Sequence, residues 1–351
     1  MDNTGEKEVS PFKKALIRHR RRGDNPNRID DLKELVDFGT GQDKRIINLE
    51  LPQGTKKIPN VYSGPIYGLE GFPGFLYAPQ ALSESLQFEL AYQSVSEYCE
   101  SPHATNIDKC PPKKSEVLNY DQKMWDLWKE ENKLRDARKK QKVDHGAKKK
   151  YRTFKKLSWA TMGYHYDWTE RSYHEGCKSP MPLLVRDLAK IFARTSLLLE
   201  ATNNPVSFTP SASIVNYYTS KSTMGGHRDD LELAVDKPIV SLSIGLPAIF
   251  LLGGKSKESE PVVPILIRKG DVLCMGGESR LNFHAMARLL PNSANHSEVE
   301  PTLCPDAVEQ LTLDALSIKA SGIQIDDRYA LEEYLSNHRI NINVRQVYPD
   351  A

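Results

Sequence analysis

Hydrophobic and polar positions follow two different rhythms along the chain, one helical and one extended. Ahead of residue 205, apolar residues recur at helical spacing in two long segments, which predicts helices near 82–98 and 182–199. The apolar residues in the second segment are more typical of core packing than of a site. Shorter or more charged segments predict further helices near 28–37, 121–140 and 327–337.

After residue 205 the pattern becomes one of short strands separated by Gly, Pro or charged turns. These segments are rich in β-branched and aromatic residues, which predicts a double-sheet β domain, a sandwich or jelly roll. The predicted strands cover residues 211–219, 238–245, 248–254, 263–277, 283–290 and 339–347. The fold class that the whole pattern predicts is α+β, with the helices first and the β domain last.

The same pattern divides the chain into four parts. We expect a basic, partly disordered extension over residues 1–60 and a helical segment with a flexible basic insert over 61–156. An aromatic segment with a supporting helix follows over 157–204, and the β domain covers 205–351.

Composition places the chain among ordinary globular proteins, since 39% of its 351 residues are hydrophobic and 27% are charged. No apolar run approaches the ~20 residues that a membrane helix needs, so we expect no membrane association. The N-terminus carries acids and no apolar core, and we therefore expect no secretory signal. Five scattered cysteines form no CxxC pair, which favours reduced thiols in an intracellular protein.

The net charge of +2 hides a strongly basic run over residues 133–156, where 12 Lys and Arg face two acids. A smaller basic block lies at 13–22. Such runs are usually solvated or disordered, but clustered cations also bind nucleic-acid phosphates or act as a nuclear address. The long run leads directly into the aromatic segment LSWATMGYHYDW, which favours a phosphate-binding arm.

Three histidines precede an acid at the same spacing: His227 with Asp229, His165 with Asp167, and His296 with Glu298. Two ligands two residues apart can bind one metal, and a third imidazole would complete the facial triad of non-haem Fe(II) oxygenases. The pair alone is a weak signal. Only the first pair, in a Gly-rich loop after a predicted strand, has a histidine on a later predicted strand, His284. A lone histidine on an apolar strand is otherwise more often a core residue.

The last predicted strand carries a polar row. Strand periodicity places Arg339, Asn341, Asn343 and Arg345 on one face and apolar residues on the other. In a surface sheet this row would face water. Two arginines and two amides without an acid also suit a dicarboxylate, although both arginines reach one small ligand only by pointing inward. Asn216 and Tyr218 share a face of the strand that precedes the His-x-Asp pair.

These motifs, in this order, resemble the site pattern of the AlkB family of Fe(II)/2-oxoglutarate dioxygenases, and their surroundings are similar to its AlkB homologue 1 branch. The resemblance is strong over 157–290 and 335–348 and weak over the first 60 residues and the basic insert. It implies a double-stranded β-helix, or jelly-roll, core with N-terminal helices and a nucleotide-recognition lid. The positions that match the pattern are Asn216, Tyr218, His227, Asp229, His284, Arg339, Asn341 and Arg345.

The resemblance also implies a role for each matching residue. The expected Fe(II) ligands are His227, Asp229 and His284, with 2-oxoglutarate and O₂ as cosubstrates. The residues expected to hold the distal carboxylate of 2-oxoglutarate are Arg339 and Tyr218, and those expected at its metal-proximal end are Asn216, Asn341 and Arg345. In the segment that resembles the lid, the residues expected to stack on a flipped base are Trp159, Tyr164 and Tyr166. A hydrophobic lid anchored on the sheet is the alternative for these aromatic residues.

The activity that the resemblance implies is oxidative demethylation of N-methylated nucleobases, with release of formaldehyde, succinate and CO₂. The expected partner is nucleic acid, and the leading substrates are N6-methyladenine in DNA and/or 1-methyladenine in tRNA. A dioxygenase acting on a histone or other protein side chain is an alternative, and a non-catalytic nucleic-acid-binding protein is another. The basic tracts favour the nucleus and/or cytoplasm and leave a mitochondrial fraction open. The sequence does not determine the oligomeric state.

Overall fold

The computed structural model describes most of the chain. The described residues are 9–20, 30–55, 61–108, 122–140, 154–167, 170, 172–200, 207–292 and 325–350. Among the helices within these ranges, none has the length and hydrophobicity that a membrane span requires.

Six α-helices are described, and most of them lie ahead of the β domain. They are α1 (Pro11–His19), α2 (Asp30–Lys33), α3 (Glu84–Ser96), α4 (Met124–Lys140), α5 (Leu183–Leu199) and α6 (Ile325–Leu335). Ser83 caps α3, because its side chain accepts a hydrogen bond from the backbone N–H of Leu86. The helices predicted near 82–98, 121–140, 182–199 and 327–337 are confirmed, and none of their ends differs from the prediction by more than three residues.

Fourteen strands are described, and they form two antiparallel sheets. They are β1 (Ile46–Asn48), β2 (Tyr67–Leu69), β3 (Phe75–Ala78), β4 (Ala104–Thr105), β5 (Trp159–Asp167), β6 (Ser172–Lys178), β7 (Ala212–Thr219), β8 (Met224–His227), β9 (Ile239–Gly245), β10 (Ala248–Leu252), β11 (Val263–Ile267), β12 (Val272–Met275), β13 (His284–Leu289) and β14 (His338–Arg345). The major sheet has the order β1-β2-β3-β12-β9-β14-β7-β5-β4, with β6 paired to β5, and the minor sheet has the order β11-β10-β13-β8. The predicted α+β class with a jelly-roll core is confirmed.

Strand β14 lies at the centre of the major sheet, where it pairs with β7 on one side and β9 on the other. Its apolar residues, Ile340, Ile342 and Val344, join the largest core cluster, in which α3 and α5 cover the outer face of the sheet. Its polar row therefore faces inward, towards the minor sheet, where a second apolar cluster fills the space between the two sheets. The polar row therefore does not face solvent.

The prediction of one strand over 263–277 was wrong, because this segment forms two strands that belong to different sheets. A turn over 268–271 separates β11 from β12, and Gly270 adopts the left-handed φ of 84° that the turn needs. Asp271 closes this turn by accepting a hydrogen bond from the Arg268 N–H, with 2.6 Å between N and Oδ2. The chain thereby crosses from one layer of the jelly roll to the other.

The N-terminal part differs from the expected pattern in two ways. The helix predicted over 28–37 extends only over Asp30–Lys33, because Val36 forms a parallel bridge with Ile265. Its N–H donates to the Pro264 carbonyl oxygen, and its own carbonyl oxygen accepts from the Leu266 N–H. The basic block also contributes a helix, α1, which periodicity did not predict. This helix packs on the outer face of the minor sheet, in a third apolar cluster.

Phe12 of α1 fits a notch made by two glycines of the minor sheet, Gly226 and Gly253. A Cβ atom would lie 2.5 Å from the Phe12 ring at Gly226 and 2.7 Å from it at Gly253. The notch therefore exists only because both positions lack a side chain. Since Gly226 directly precedes His227, the docked helix also supports the strand that carries this histidine.

Replacing Gly226 by Ala should displace Phe12 and loosen α1, at a cost of about 1–3 kcal/mol for overpacking. Urea unfolding measures the free energy of unfolding, and limited proteolysis near residue 20 reports the release of the helix. The matched control is Gly225→Ala, where an added Cβ meets no atom within 4 Å. Equal stability of the two variants would contradict a tight notch.

Candidate active site

Two histidines face each other across neighbouring strands of the minor sheet. His227 ends β8 and His284 begins β13, and their Cα atoms are register partners. Their ring centroids lie 4.3 Å apart. With Asp229, two residues after β8, they form a group in which one ligand atom from each residue lies within 4.8 Å of the others. The expected Gly-rich loop is thus a short strand whose end sets the position of His227.

Backbone carbonyls fix the tautomer of both rings. The Nδ1 atom of His227 lies 2.9 Å from the Gly225 carbonyl oxygen, and that of His284 lies 3.1 Å from the Asn282 carbonyl oxygen. Because a carbonyl oxygen can only accept, each Nδ1 carries the proton and donates it. The Nε2 lone pairs are therefore free for a ligand, and they lie 4.0 and 3.9 Å from the Asp229 carboxylate oxygens. This is how metal-binding imidazoles are usually oriented.

The protonation of the triad also suits a metal cation. Burial alone would raise the pKa of Asp229, but Arg345, together with His284, His227 and Arg280, holds that pKa well below its ordinary value. Burial and the neighbouring His227 lower the pKa of His284 to about 4. At neutral pH the site therefore presents a carboxylate and a neutral imidazole, the forms that bind divalent metals.

The competing histidine–acid pairs do not form such a group. Within the described residues, the triad is the one cluster of three or more ligand-type side chains. His165 of the second pair interacts instead with Thr161, whose Oγ1 lies 2.8 Å from Nδ1. The pair His296–Glu298 lies outside the described residues. Asp230, beside the triad, forms an ion pair with Arg228 (3.1 Å) and is 40% exposed, as expected for an acid that faces away from the metal position.

Arg339 is the most unusual charge in the inner cavity. Its side chain is fully buried, and it donates to the Leu246 carbonyl oxygen (3.0 Å) and the Ser243 hydroxyl (2.8 Å). Its Nε atom has no hydrogen-bond partner, and no acid among the described residues pairs with it. A buried, unpaired cation is costly in isolation, so this arginine is suited to an anionic ligand. The cavity that it lines also contains the triad.

The other residues expected around 2-oxoglutarate divide into two groups. Tyr218, the register partner of Arg339, and Asn341 line the same cavity. Asn216 is buried and paired in register with Asn341, but it does not line the cavity. Arg345 donates a hydrogen bond to the Asp229 carboxylate of the triad, with 2.7 Å between Nη2 and Oδ2. Their roles towards the cosubstrate stay predictions.

The three aromatic residues expected to stack on a base belong to β5 but do not gather at one point. Trp159 is the register partner of Asn216 and is partly buried. The hydroxyl of Tyr164 donates to Glu175, whose Oε1 atom lies 2.5 Å away, on the outside of the β5–β6 hairpin (159–178). Tyr166 is buried against the ring of Tyr173, at 5.3 Å between centroids. None of the three lines the inner cavity, and their contact with a base stays a prediction.

Four polar residues of the site were not predicted. Ser241 and Ser243 hold the side chains of Asn341 and Arg339, and the alternation of SLS in the strand 238–245 could have revealed them. Glu232 and Arg280 form a fully buried ion pair beside Asp229, with 3.0 Å between Oε2 and Nη2. Nothing in the one-dimensional pattern distinguishes these two charges from exposed ones.

The chain is similar to known proteins over most of its length. The sequence model of the 2OG-Fe(II) oxygenase superfamily matches residues 74–345. The DNA N(6)-methyladenine demethylase ALKBH1A of Arabidopsis thaliana is 32% identical over 91% of this chain and 88% of its own length. The nucleic acid dioxygenase ALKBH1 of Homo sapiens is 30% identical over 90% and 79%. The tRNA demethylase abh1 of Schizosaccharomyces pombe is 31% identical over 56% and 54%.

If Arg339 holds an anionic ligand, Arg339→Gln should weaken 2-oxoglutarate binding by about 10- to 100-fold. This range corresponds to a charge-assisted hydrogen bond of about 1.5–3 kcal/mol. Isothermal titration calorimetry with Mn(II) in place of iron gives the dissociation constant. The matched control is Arg268→Gln, which removes another buried arginine that already pairs with Asp37. Arg339 would lose its assigned role if both variants bound 2-oxoglutarate equally well.

Proposed function

Since the chain belongs to the 2OG-Fe(II) oxygenase superfamily and, within it, to the AlkB family, we propose that it is an oxidative demethylase of N-methylated nucleobases in nucleic acid. The metal would be held by His227, Asp229 and His284. When bound, Fe(II) with 2-oxoglutarate activates O₂ for oxidation of an N-methyl group, with succinate and CO₂ as by-products. The hydroxylated methyl group then leaves the base as formaldehyde.

One observation carries this proposal: a preformed metal triad and an unpaired buried arginine line the same cavity. A metal site alone would suit many enzymes. A buried cation inside a metal-binding cavity selects for a ligand with two ends, one of which coordinates the metal while the other pairs with the guanidinium. 2-Oxoglutarate has this form, because its C5 carboxylate is separated from its 2-oxo acid group by two methylene carbons.

The protein residues contribute by binding and orientation. Arg339 and Tyr218 would hold the distal carboxylate, and burial keeps the pKa of the Tyr218 hydroxyl above its ordinary value, so that it remains a donor. Arg345 engages one oxygen of Asp229 and leaves the other available to the metal. Apolar side chains, among them those of Phe250, Leu273 and Met286, line much of the rest of the cavity.

Nucleic acid is the proposed partner because of the relatives and the exposed charge. The relatives are called a DNA demethylase, a nucleic acid dioxygenase and a tRNA demethylase. In the described part of the basic run, Lys133 and Lys155 have side chains that are 76% and 85% exposed. Near the triad, the guanidinium of Arg228 and the ammonium of Lys257 lie 5.3 and 5.6 Å from the centre of the Phe283 ring. N6-Methyladenine in DNA and 1-methyladenine in tRNA are the proposed substrates, in the nucleus or cytoplasm.

The proposed reaction predicts release of formaldehyde and succinate from oligonucleotides that carry N6-methyladenine or 1-methyladenine. Wild-type protein with Fe(II), ascorbate and 2-oxoglutarate should release both products, and His227→Ala should lower the rate by at least about 100-fold, because one of three metal ligands is lost. Formaldehyde derivatisation and mass spectrometry of the base measure the two sides of the reaction.

Asp230→Asn is the matched control, since this exposed acid lies next to a proposed ligand but pairs with Arg228 and does not belong to the triad. Two other results would replace the proposal. Succinate release with a protein substrate, and a mass gain of one oxygen or loss of one methylene on that protein, would identify a protein side chain as the target. Salt-dependent binding of nucleic acid without 2-oxoglutarate consumption would identify a non-catalytic binding protein.

A further inference from the structure

A buried cluster of four charges includes Asp229 of the triad and extends from it to the β5–β6 hairpin. It consists of two carboxylates and two guanidinium groups, those of Asp229, Glu232, Arg280 and Arg345. The side chains of Glu232 and Arg280 are each 1% exposed. Because the cluster is neutral as a whole, removal of one charge would leave another buried without compensation.

Arg280 binds three acceptors that lie at different points of one loop. It donates to the backbone carbonyl oxygens of Asp229 (2.5 Å) and Lys237 (3.0 Å) as well as to the Glu232 carboxylate. One guanidinium therefore holds both ends of the loop 229–237. Arg280 itself belongs to the 3₁₀ helix Gly277–Leu281, shortly before His284. It thus connects the segments that carry two of the three proposed metal ligands.

Glu232 uses its second oxygen to reach the hairpin. The Tyr173 hydroxyl donates to Glu232 Oε1 at 3.0 Å, and Arg345 Nη1 lies 3.6 Å from the same oxygen. Burial raises the pKa of Tyr173 above its ordinary value, so its hydroxyl remains a donor at neutral pH. The other guanidinium nitrogen of Arg345 is bound to Asp229. Two hydrogen bonds, joined by the ion pair between Glu232 and Arg345, therefore connect β6 with the Asp229 carboxylate.

We propose that Glu232 is a positioning residue that links the β5–β6 hairpin to Asp229, through Tyr173 on one side and through Arg280 and Arg345 on the other. The inference rests on the proposed function only for the identity of the metal site. By this link, metal binding at Asp229 stabilises the β5–β6 hairpin. Coupling of this kind is reciprocal, so an ordered hairpin in turn favours metal binding.

Titration of the protein with Mn(II), followed by the electron paramagnetic resonance signal of free Mn(II), tests the first half of the link. Glu232→Gln should weaken Mn(II) binding about 10-fold, the lower end of what an outer-shell substitution costs. No nucleic acid and no turnover are involved. Unchanged Mn(II) affinity in folded Glu232→Gln would overturn the proposal.

Hydrogen–deuterium exchange of the hairpin tests the second half. Mn(II) should slow amide exchange across residues 159–178 in wild-type protein, and Tyr173→Phe should reduce this protection at least about twofold. The variant keeps the ring and leaves Glu232 paired with both arginines, so the fold is preserved. The matched control is Tyr348→Phe, which removes a hydroxyl that donates to the Tyr173 carbonyl oxygen and does not touch Glu232.

The outcomes separate the two proposals. Mn(II)-dependent protection that persists in Tyr173→Phe as it does in Tyr348→Phe would overturn the link while leaving the metal site intact. Wild-type protein that takes up no Mn(II), or His227→Ala that takes up as much as wild type, would overturn the metal site and this inference with it. Loss of protection in Tyr173→Phe alone, with weakened binding in Glu232→Gln, establishes the link.

Discussion

The burial of charged side chains on β14 is the constraint on which the rest of the site depends. This strand is hydrogen-bonded along both edges, and helices cover its apolar face, so its polar row has to lie between the two sheets. Arg345 is compensated there by Asp229 and Glu232. Arg339 pairs with no acid within the described residues, so a ligand that carries a carboxylate would supply the missing charge.

Much of this architecture could be predicted from periodicity alone. The alternation in RININVR predicted a two-faced strand correctly, since a period of two is set by backbone geometry. The β5–β6 hairpin was not predicted, because its aromatic and charged residues do not alternate and because its pairing with β7 joins segments about fifty residues apart. The docking of α1 depends on the shape of a notch between two glycines, which cannot be predicted from the local sequence pattern.

The metal triad could be predicted from the sequence, whereas the neighbouring charge cluster could not. His227, Asp229 and His284 could be assembled from the sequence because their spacing fits a known ligand set and a jelly roll brings β8 beside β13. Arg280 and Glu232 are separated by 48 residues, and they can be recognised as an ion pair only in the folded structure, where both are buried. The resemblance implied that Arg345 lies at the metal-proximal end of 2-oxoglutarate, and this role stays a prediction; its contact with Asp229 is one that strand periodicity does not reveal.

The register pairing of His227 with His284 has a consequence for how the metal is chosen. Directly opposed residues of an antiparallel pair have a separation set by the backbone, so the two imidazoles are held close before any ion arrives. A rigid, preformed set of two nitrogens and one oxygen has little means of rejecting competitors, and Co(II), Ni(II) and Cu(II) bind such sets more tightly than Fe(II) does. We therefore expect the supply of each metal around the protein to decide which ion occupies the site, so that excess cobalt or nickel would displace iron.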